Sequence, residues 1–340
     1  IRDRVWVSGR VPGAELDLAV RSRRLWGEIG VEVSGVGFSA NGSLTLVRHL
    51  AEVAVLEEVE RRADAADRQV RLVDVNDVRA INPAVRGDVL GGLHGALDAQ
   101  VEPRSVLPAM RRALAGDHYR WLSGRVVTEV GDHRVVDHTG EVHAGDRVVL
   151  CPGAVHDGPI AELVERRRLV RVRLQMLQTQ PATHRLTTSV ADGDSLRYYP
   201  AYATPAAAEL PGRPDLLERY GVQLLVAQRR DGSLTIGDSH QDEPFDVDLD
   251  ERIFDHLLER AQSLLGWSLP PIRRRWAGVY AKALDEPYLR RAVAPGVEVV
   301  TGPAGKGMTL APVIAETTIA GSRSSAPVPG LASEQPVGSR

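Results

Sequence analysis

The chain has 340 residues, room for one large domain or two medium ones, each able to bury an ordinary core. Its 43% hydrophobic and 26% charged residues are a globular composition, and a formal net charge of −3 offers no field for nucleic acid. No apolar run approaches the roughly 18–20 residues of a membrane span, and the single cysteine, Cys151, excludes an internal disulfide framework and a cysteine zinc site; a cytoplasmic location is expected.

Along the chain, helical stretches with apolar residues three and four apart alternate with short β-branched runs. In 51–63, Val55, Leu56 and Val59 share one face, with Glu52, Glu57 and Glu58 expected outward. Residues 89–114 predict strand, turn and helix, with Pro103 suited to a first helical turn. From Tyr119 to Leu150 short strands are expected at Leu122, Val126–Val127, Val135–Val136 and 146–150, forming a meander with a turn at Asp137–Gly140. The last of these is wholly apolar and stops at Cys151-Pro152-Gly153-Ala154, as a buried central strand does when something must approach its end; a plain strand exit fits equally well. His94, His133, His138, His143 and His156 lack metal-ligand spacing and are expected on the surface, and Cys151 is expected as a small buried hydrophobe.

Strands are expected at 169–177, 195–201, 222–228, 233–238 and 272–281, with Asp231–Gly232 as a hairpin turn. The helix between them, about 250–265, should turn Ile253, Leu257 and Ala261 inward. The Arg-rich spots at 166–168 and 273–275 read as solvated faces or strand edges. A last strand, Val297 to Val300, leads through a glycine-rich turn into a helix at about 309–320, and the Ser-, Pro- and Gly-rich residues 322–340 are expected to be a disordered tail.

That turn, Thr301-Gly302-Pro303-Ala304-Gly305-Lys306-Gly307-Met308-Thr309, carries the most information. Its glycines let backbone approach a ligand, and a helix opens with unpaired N–H groups and its positive dipole end, which favours an anion; a simple tight turn is the competing reading. Lys306 strengthens the first, because Lys306 and Lys282 are the only lysines in the chain.

The same stretch resembles the C-terminal flavin-binding motif of the D-amino-acid-oxidase, glycine-oxidase and sarcosine-oxidase superfamily of FAD-dependent oxidoreductases. Other segments match it in order: Gly91-Gly92-Leu93 with Asp98 to Arg104, Gly124-Arg125-Val126-Val127, Val148 to Ala154, Arg275 to Tyr280, and Asp285-Glu286-Pro287-Tyr288. Within the superfamily, Arg173 to Leu177, Gly232 to His240 and Gly305 to Thr309 resemble the branch associated with phosphonate catabolism.

The resemblance implies an α/β (α+β) fold, with an incomplete FAD-binding Rossmann-like domain at 1–50, 90–165 and 285–321 and a mainly antiparallel-sheet substrate domain at 51–89 and 166–284. Family members begin with a strand, a G-x-G-x-x-G turn and a helix, a beginning expected to be missing here. FAD is the implied cofactor, held by Val126, Gly153, Ala154, Gly302, Gly305, Lys306, Gly307, Met308 and Thr309. Tyr280 and His240 are the expected catalytic, substrate-facing residues.

The cationic clamps of amino-acid-oxidising relatives fall here on Tyr280 and Thr309, so the resemblance favours a small amine carrying another polar group, such as an aminophosphonate, with His240, Lys306, Arg173 and Arg229 as available partners. Oxygen or an electron carrier would reoxidise the flavin. A sarcosine- or glycine-type amino-acid oxidase and a truncated, catalytically silent chain are the rival readings. Tyr198-Tyr199-Pro200 is read as core packing or a pocket mouth.

Overall fold

In the computed structural model, residues 4–116, 118–155, 157–164, 168–245 and 248–321 are described. His156, Arg166, Arg167 and the expected tail at 322–340 lie outside them. The fold is mixed α and β, as expected, around a large, mostly antiparallel sheet.

Gln241–Asp242, Leu169–Pro181, Ser233–Gly237, Leu225–Gln228, Ser189–Ala191, Ser43–Val47, Gly91–Gly95 and Val70–Asp74 follow one another across that sheet, and Ile272–Ala283 pairs with the long strand Leu169–Pro181. Only Ser189–Ala191 and Ser43–Val47 run parallel. The boundaries expected at residues 50 and 90 therefore fall inside this sheet, because strand pairing over such sequence distances leaves no local signal.

The helix Glu251–Leu265 covers one face. Asp250 caps it by accepting from the amide of Arg252, and Gly266 ends it in a left-handed conformation. Ile253, Leu257 and Ala261 point inward as expected, against Leu177, Val226 and Ile236. The helix Leu50–Glu60 buries Val55, Leu56 and Val59. Glu52 is a correction: it is buried, folding back so that its carboxylate accepts from the amides of Arg48 and His49 in a capping box.

Two three-stranded sheets and a two-stranded pair, Arg4–Val5 with Ala99–Gln100, accompany the large one. Val127–Gly131, Arg134–Asp137 and Val142–Ala144 form a meander, while Leu122 is not in a strand. Val148–Leu150 does not join that meander. It pairs in parallel with Val297–Thr301, itself antiparallel to Leu289–Ala294, and lies at the edge of that sheet rather than at a buried centre. Cys151 is consequently exposed.

The expected strand at 195–201 is instead a helical turn, Ser195–Tyr198, followed by a 3-10 turn at Pro200–Tyr202. Buried Asp192 accepts from the amide of Asp194 and starts a turn, and Pro200 has no N–H for a strand ladder. Of the histidines expected on the surface, His94 and His143 are half-buried.

Candidate active site

The turn after Val297–Thr301 is a 3-10 turn, Ala304–Lys306, that runs directly into the helix Gly307–Ala320. The helix thus begins two residues earlier than expected, and the Gly307 amide is already bonded to the carbonyl of Ala304. The open donor moves forward to Gly305: no turn or loop hydrogen bond among the described residues uses its amide, whereas Ala304 lies beside the antiparallel bridge between Pro303 and Lys282. Ala304 holds a φ of 53°, a left-handed conformation that costs a non-glycine residue energy.

Ala304, Gly305 and Lys306 form one wall of a cavity of about 300 Å³. Tyr280 and Lys282 face them from the strand Ile272–Ala283, two residues apart and so on one side of it, with Val172 directly opposite Tyr280 on the neighbouring strand. A side chain at position 305 would begin 3.6 Å from the Tyr280 hydroxyl, so glycine leaves this space open. His240, Asp242 and Tyr198 to Pro200 close another side, and Gly9, Arg10, Val11 and Glu15 complete the lining.

Aromatic contacts fix the wall. His240 stacks on Tyr198 at 4.2 Å, Tyr198 meets Tyr199 edge-on at 4.9 Å, and Tyr199 stacks on Trp6 at 5.6 Å. His240 Nδ1 lies 3.1 Å from the carbonyl of Gly221, which can only accept, so Nδ1 carries a proton and donates. Gly9 is required here, since a Cβ would fall 2.4 Å from Trp6 Nε1.

The charges are paired. Glu15 lies 3.5 Å from Arg10 Nη1 and 2.9 Å from Lys306 Nζ, and Lys282 lies 3.6 Å from Asp242. Arg10 is anchored further by donation from Nε to the carbonyl of Trp6 at 2.9 Å. Beneath it, buried Asp98 accepts from the amides of Val7 and Ser8 and from the hydroxyls of Ser8 and Ser43, while buried Arg68 donates to the carbonyl of Ser8. Ninety positions from Ser8 in sequence, one carboxylate thereby fixes the turn that presents Gly9 and Arg10.

Of the expected site residues, Tyr280, His240, Gly305 and Lys306 converge on this cavity. Gly153 and Gly307 line a separate apolar groove on the other side of the last helix, and Thr301 Oγ1 donates to the Gly153 carbonyl at 2.9 Å. Ala154, beside Gly153, lines neither. Gly302, at a φ of 74°, is packed against Leu169 and Ala283. Met308 and Thr309 do not line the cavity: the Met308 carbonyl accepts from Trp26 Nε1, and Thr309 Oγ1 accepts from the amide of Trp6, so both fasten the helix to the chain's beginning. Val126 is 62% exposed at the edge of the meander.

Among the expected anion partners, Arg173 sits on the face of its strand opposite Val172, and Arg229 pairs with Glu102 away from the cavity. Sequence reasoning missed Arg10, Glu15 and Asp242. A usable signal existed for Arg10, the Trp6-Val7-Ser8-Gly9-Arg10 turn, but the carboxylate that holds this turn, Asp98, lies ninety positions from Ser8.

The ring end of a flavin fits these residues: an open amide at Gly305, a helix N-terminus behind it and a glycine that leaves the approach clear. The sequence profile of the family described as "DAO: FAD dependent oxidoreductase" matches residues 4–320. Solved structures with the same fold include glycine oxidase from Geobacillus kaustophilus, 17% identical with a TM-score of 0.73, covering 93% of this chain and 82% of that one. Iminodiacetate oxidase from Chelativorans sp. BNC1 is 17% identical with a TM-score of 0.71, covering 96% and 86%. L-proline dehydrogenase from P. horikoshii is 17% identical with a TM-score of 0.69, covering 92% and 81%. No curated protein sequence matches.

Proposed function

Since the chain belongs to the FAD dependent oxidoreductase family, we propose that it oxidises the carbon–nitrogen bond of a small amine bearing an anionic group, an aminophosphonate being the best fit, in the cavity between Tyr280, His240 and the turn at Gly305. The observation that carries this reading is the cavity itself, where Gly305, Tyr280, His240 and both lysines of the chain meet.

FAD, when bound, supplies the two-electron acceptor that takes the substrate's hydride. Gly305 and Lys306 would hold its ring end, with the helix dipole favouring negative charge there.

The substrate amine must be neutral to be oxidised. Burial behind Tyr198 and Tyr199 and the surplus of cations over carboxylates, Arg10, Lys282 and Lys306 against Glu15 and Asp242, both disfavour the ammonium form. No strong protein base is then needed. The Tyr280 hydroxyl and His240 supply neutral hydrogen bonds that orient the substrate, and water hydrolyses the imine product. Oxygen or an electron carrier completes the cycle.

The test is anaerobic. The full chain, reconstituted with FAD, is mixed with aminomethylphosphonate, glycine or N-methylglycine and the visible flavin absorbance is followed. Bleaching fastest with aminomethylphosphonate is expected. Bleaching with N-methylglycine or glycine alone would move the assignment to a sarcosine- or glycine-type oxidase, a reading favoured by the fold shared with glycine oxidase. No bleaching with any amine rejects the oxidase altogether.

A further inference from the structure

Resting on that reading of the cavity, we infer that Glu15 is a built-in stand-in for the substrate's anionic group: its carboxylate occupies the anion subsite between Arg10 and Lys306 and is displaced when substrate binds. The chain has 42 basic residues and only two are lysines, yet both line this one cavity. An ammonium is a compact, strongly hydrated point charge that exchanges one anion for another on a flexible stem, whereas a guanidinium holds a fixed fork. Lys306 and Arg10 supply one of each kind to the same carboxylate.

The three side chains are largely withdrawn from solvent, with Arg10 at 5%, Glu15 at 19% and Lys306 at 20% exposure. Two cations held so close, with no anion between them, would repel each other in a weakly screened site. A resident carboxylate keeps the pair assembled until a ligand anion replaces it like for like, so the subsite is preformed. Arg10 stays behind when Glu15 leaves, because its Nε is tied to the carbonyl of Trp6 and Asp98 holds the turn that carries it. The Lys306 ammonium has no other hydrogen bond or ion pair among the described residues, so it can follow the incoming anion.

Glu15 is also placed to move. It lies in the first turn of the helix Ala14–Glu32, directly after the exposed segment Val11-Pro12-Gly13, and Gly13 makes no side-chain cap. Outside the cavity its carboxylate would still be stabilised by the helix N-terminus. A phosphonate dianion carries more charge than the carboxylate it replaces, so phosphonates should displace Glu15 more readily than carboxylates do.

The test needs neither cofactor nor turnover, so it stands or falls separately from amine oxidation. Methylphosphonate and acetate are titrated into the full chain by calorimetry. Glu15→Gln, which removes the competing charge, is expected to tighten methylphosphonate about tenfold or more, with a smaller gain for acetate. Lys306→Met in the Glu15→Gln background should cancel that gain. Glu15→Asp, which shortens the reach, should give a smaller tightening and serves if the glutamine variant does not fold. Unchanged or weaker methylphosphonate binding in the folded Glu15 variant would overturn the inference, because a purely structural Glu15 would loosen both cations when neutralised.

Discussion

The last helix has two faces of opposite character. At its N-terminal turn, Gly305 and Lys306 border a charged cavity of about 300 Å³ whose side chains are nearly all paired across the fold. On its outward face, Ala311, Ala315 and Ile319 join Val149, Cys151 and Val300 around an apolar groove of about 420 Å³ beside the edge strand Val148–Leu150, which has one partner strand among the described residues. Positions on the first face are fixed by buried hydrogen bonds, each with few alternatives. Positions on the second are fixed by little beyond the helix itself, so substitutions there should cost little.

The sharpest test of the cavity face is Gly305. A Cβ there meets the Tyr280 hydroxyl at 3.6 Å, an ordinary contact, so Gly305→Ala should keep turnover within about threefold. Gly305→Leu must push its branch into the cavity, and turnover should fall by about 100-fold or more as the reacting groups are displaced. Steady-state kinetics on the two variants separates a steric role from a merely conformational one. Equal losses in both would mean that backbone freedom, rather than open space, is what position 305 supplies.

Next in size is Asp98, which works from a distance. Its buried carboxylate accepts four hydrogen bonds from Val7, Ser8 and Ser43. Asp98→Ala leaves those donors without a partner and should lower unfolding stability by about 3 kcal/mol or more, read from urea unfolding. It should also raise KM more than it lowers kcat, because the turn presenting Arg10 loosens while Tyr280 stays put. Stability loss with KM unchanged would break the link between this network and the cavity.

How much of this was legible follows the same division. The turn from Gly302 to Thr309 could be read locally, since strand, glycines and helix are contiguous, and so could Tyr280 from its position in a long strand. The helix Glu251–Leu265 declared itself through its apolar face. Glu15 and Asp98 could not be read, because each acts through partners brought near by topology: Glu15 meets Lys306 across 291 positions. The strand expected at 195–201 failed for a similar reason, since apolar and aromatic residues there pack as a helical turn anchored by buried Asp192. Period-two patterning cannot distinguish the two in so short a run.

Asp192 gives a third, smaller effect. Burial, reinforced by the neighbouring Asp194 carboxylate, pushes it up to about 7 despite its contact with Arg260 at 3.0 Å. The folded protein therefore holds a proton that the unfolded chain releases near the ordinary value of 3.8. Stability from this group is fully present at the acid end of that window and is lost as pH rises through it toward 7, by up to about 1.4 kcal/mol per pH unit. Thermal unfolding of the parent against Asp192→Asn across that window checks the sign: the variant should lose the decline, and a parallel decline in both would place its origin elsewhere.

The smallest expected effect lies on the apolar face. Ile319 is 61% exposed, at the outer end of the groove, with its backbone carbonyl within reach of Arg147. Ile319→Glu removes little buried area and sets a carboxylate near a guanidinium already shared with Glu298, so stability should change by less than about 0.5 kcal/mol and turnover should not change. The contrast with Asp98→Ala is the point of the pair: one exposed apolar residue against one buried acid, on opposite sides of the same helix. A loss from Ile319→Glu approaching that from Asp98→Ala, in unfolding or in sedimentation, would show that the groove is covered in solution and that its apolar lining, like the cavity's charges, is held by contacts it depends on.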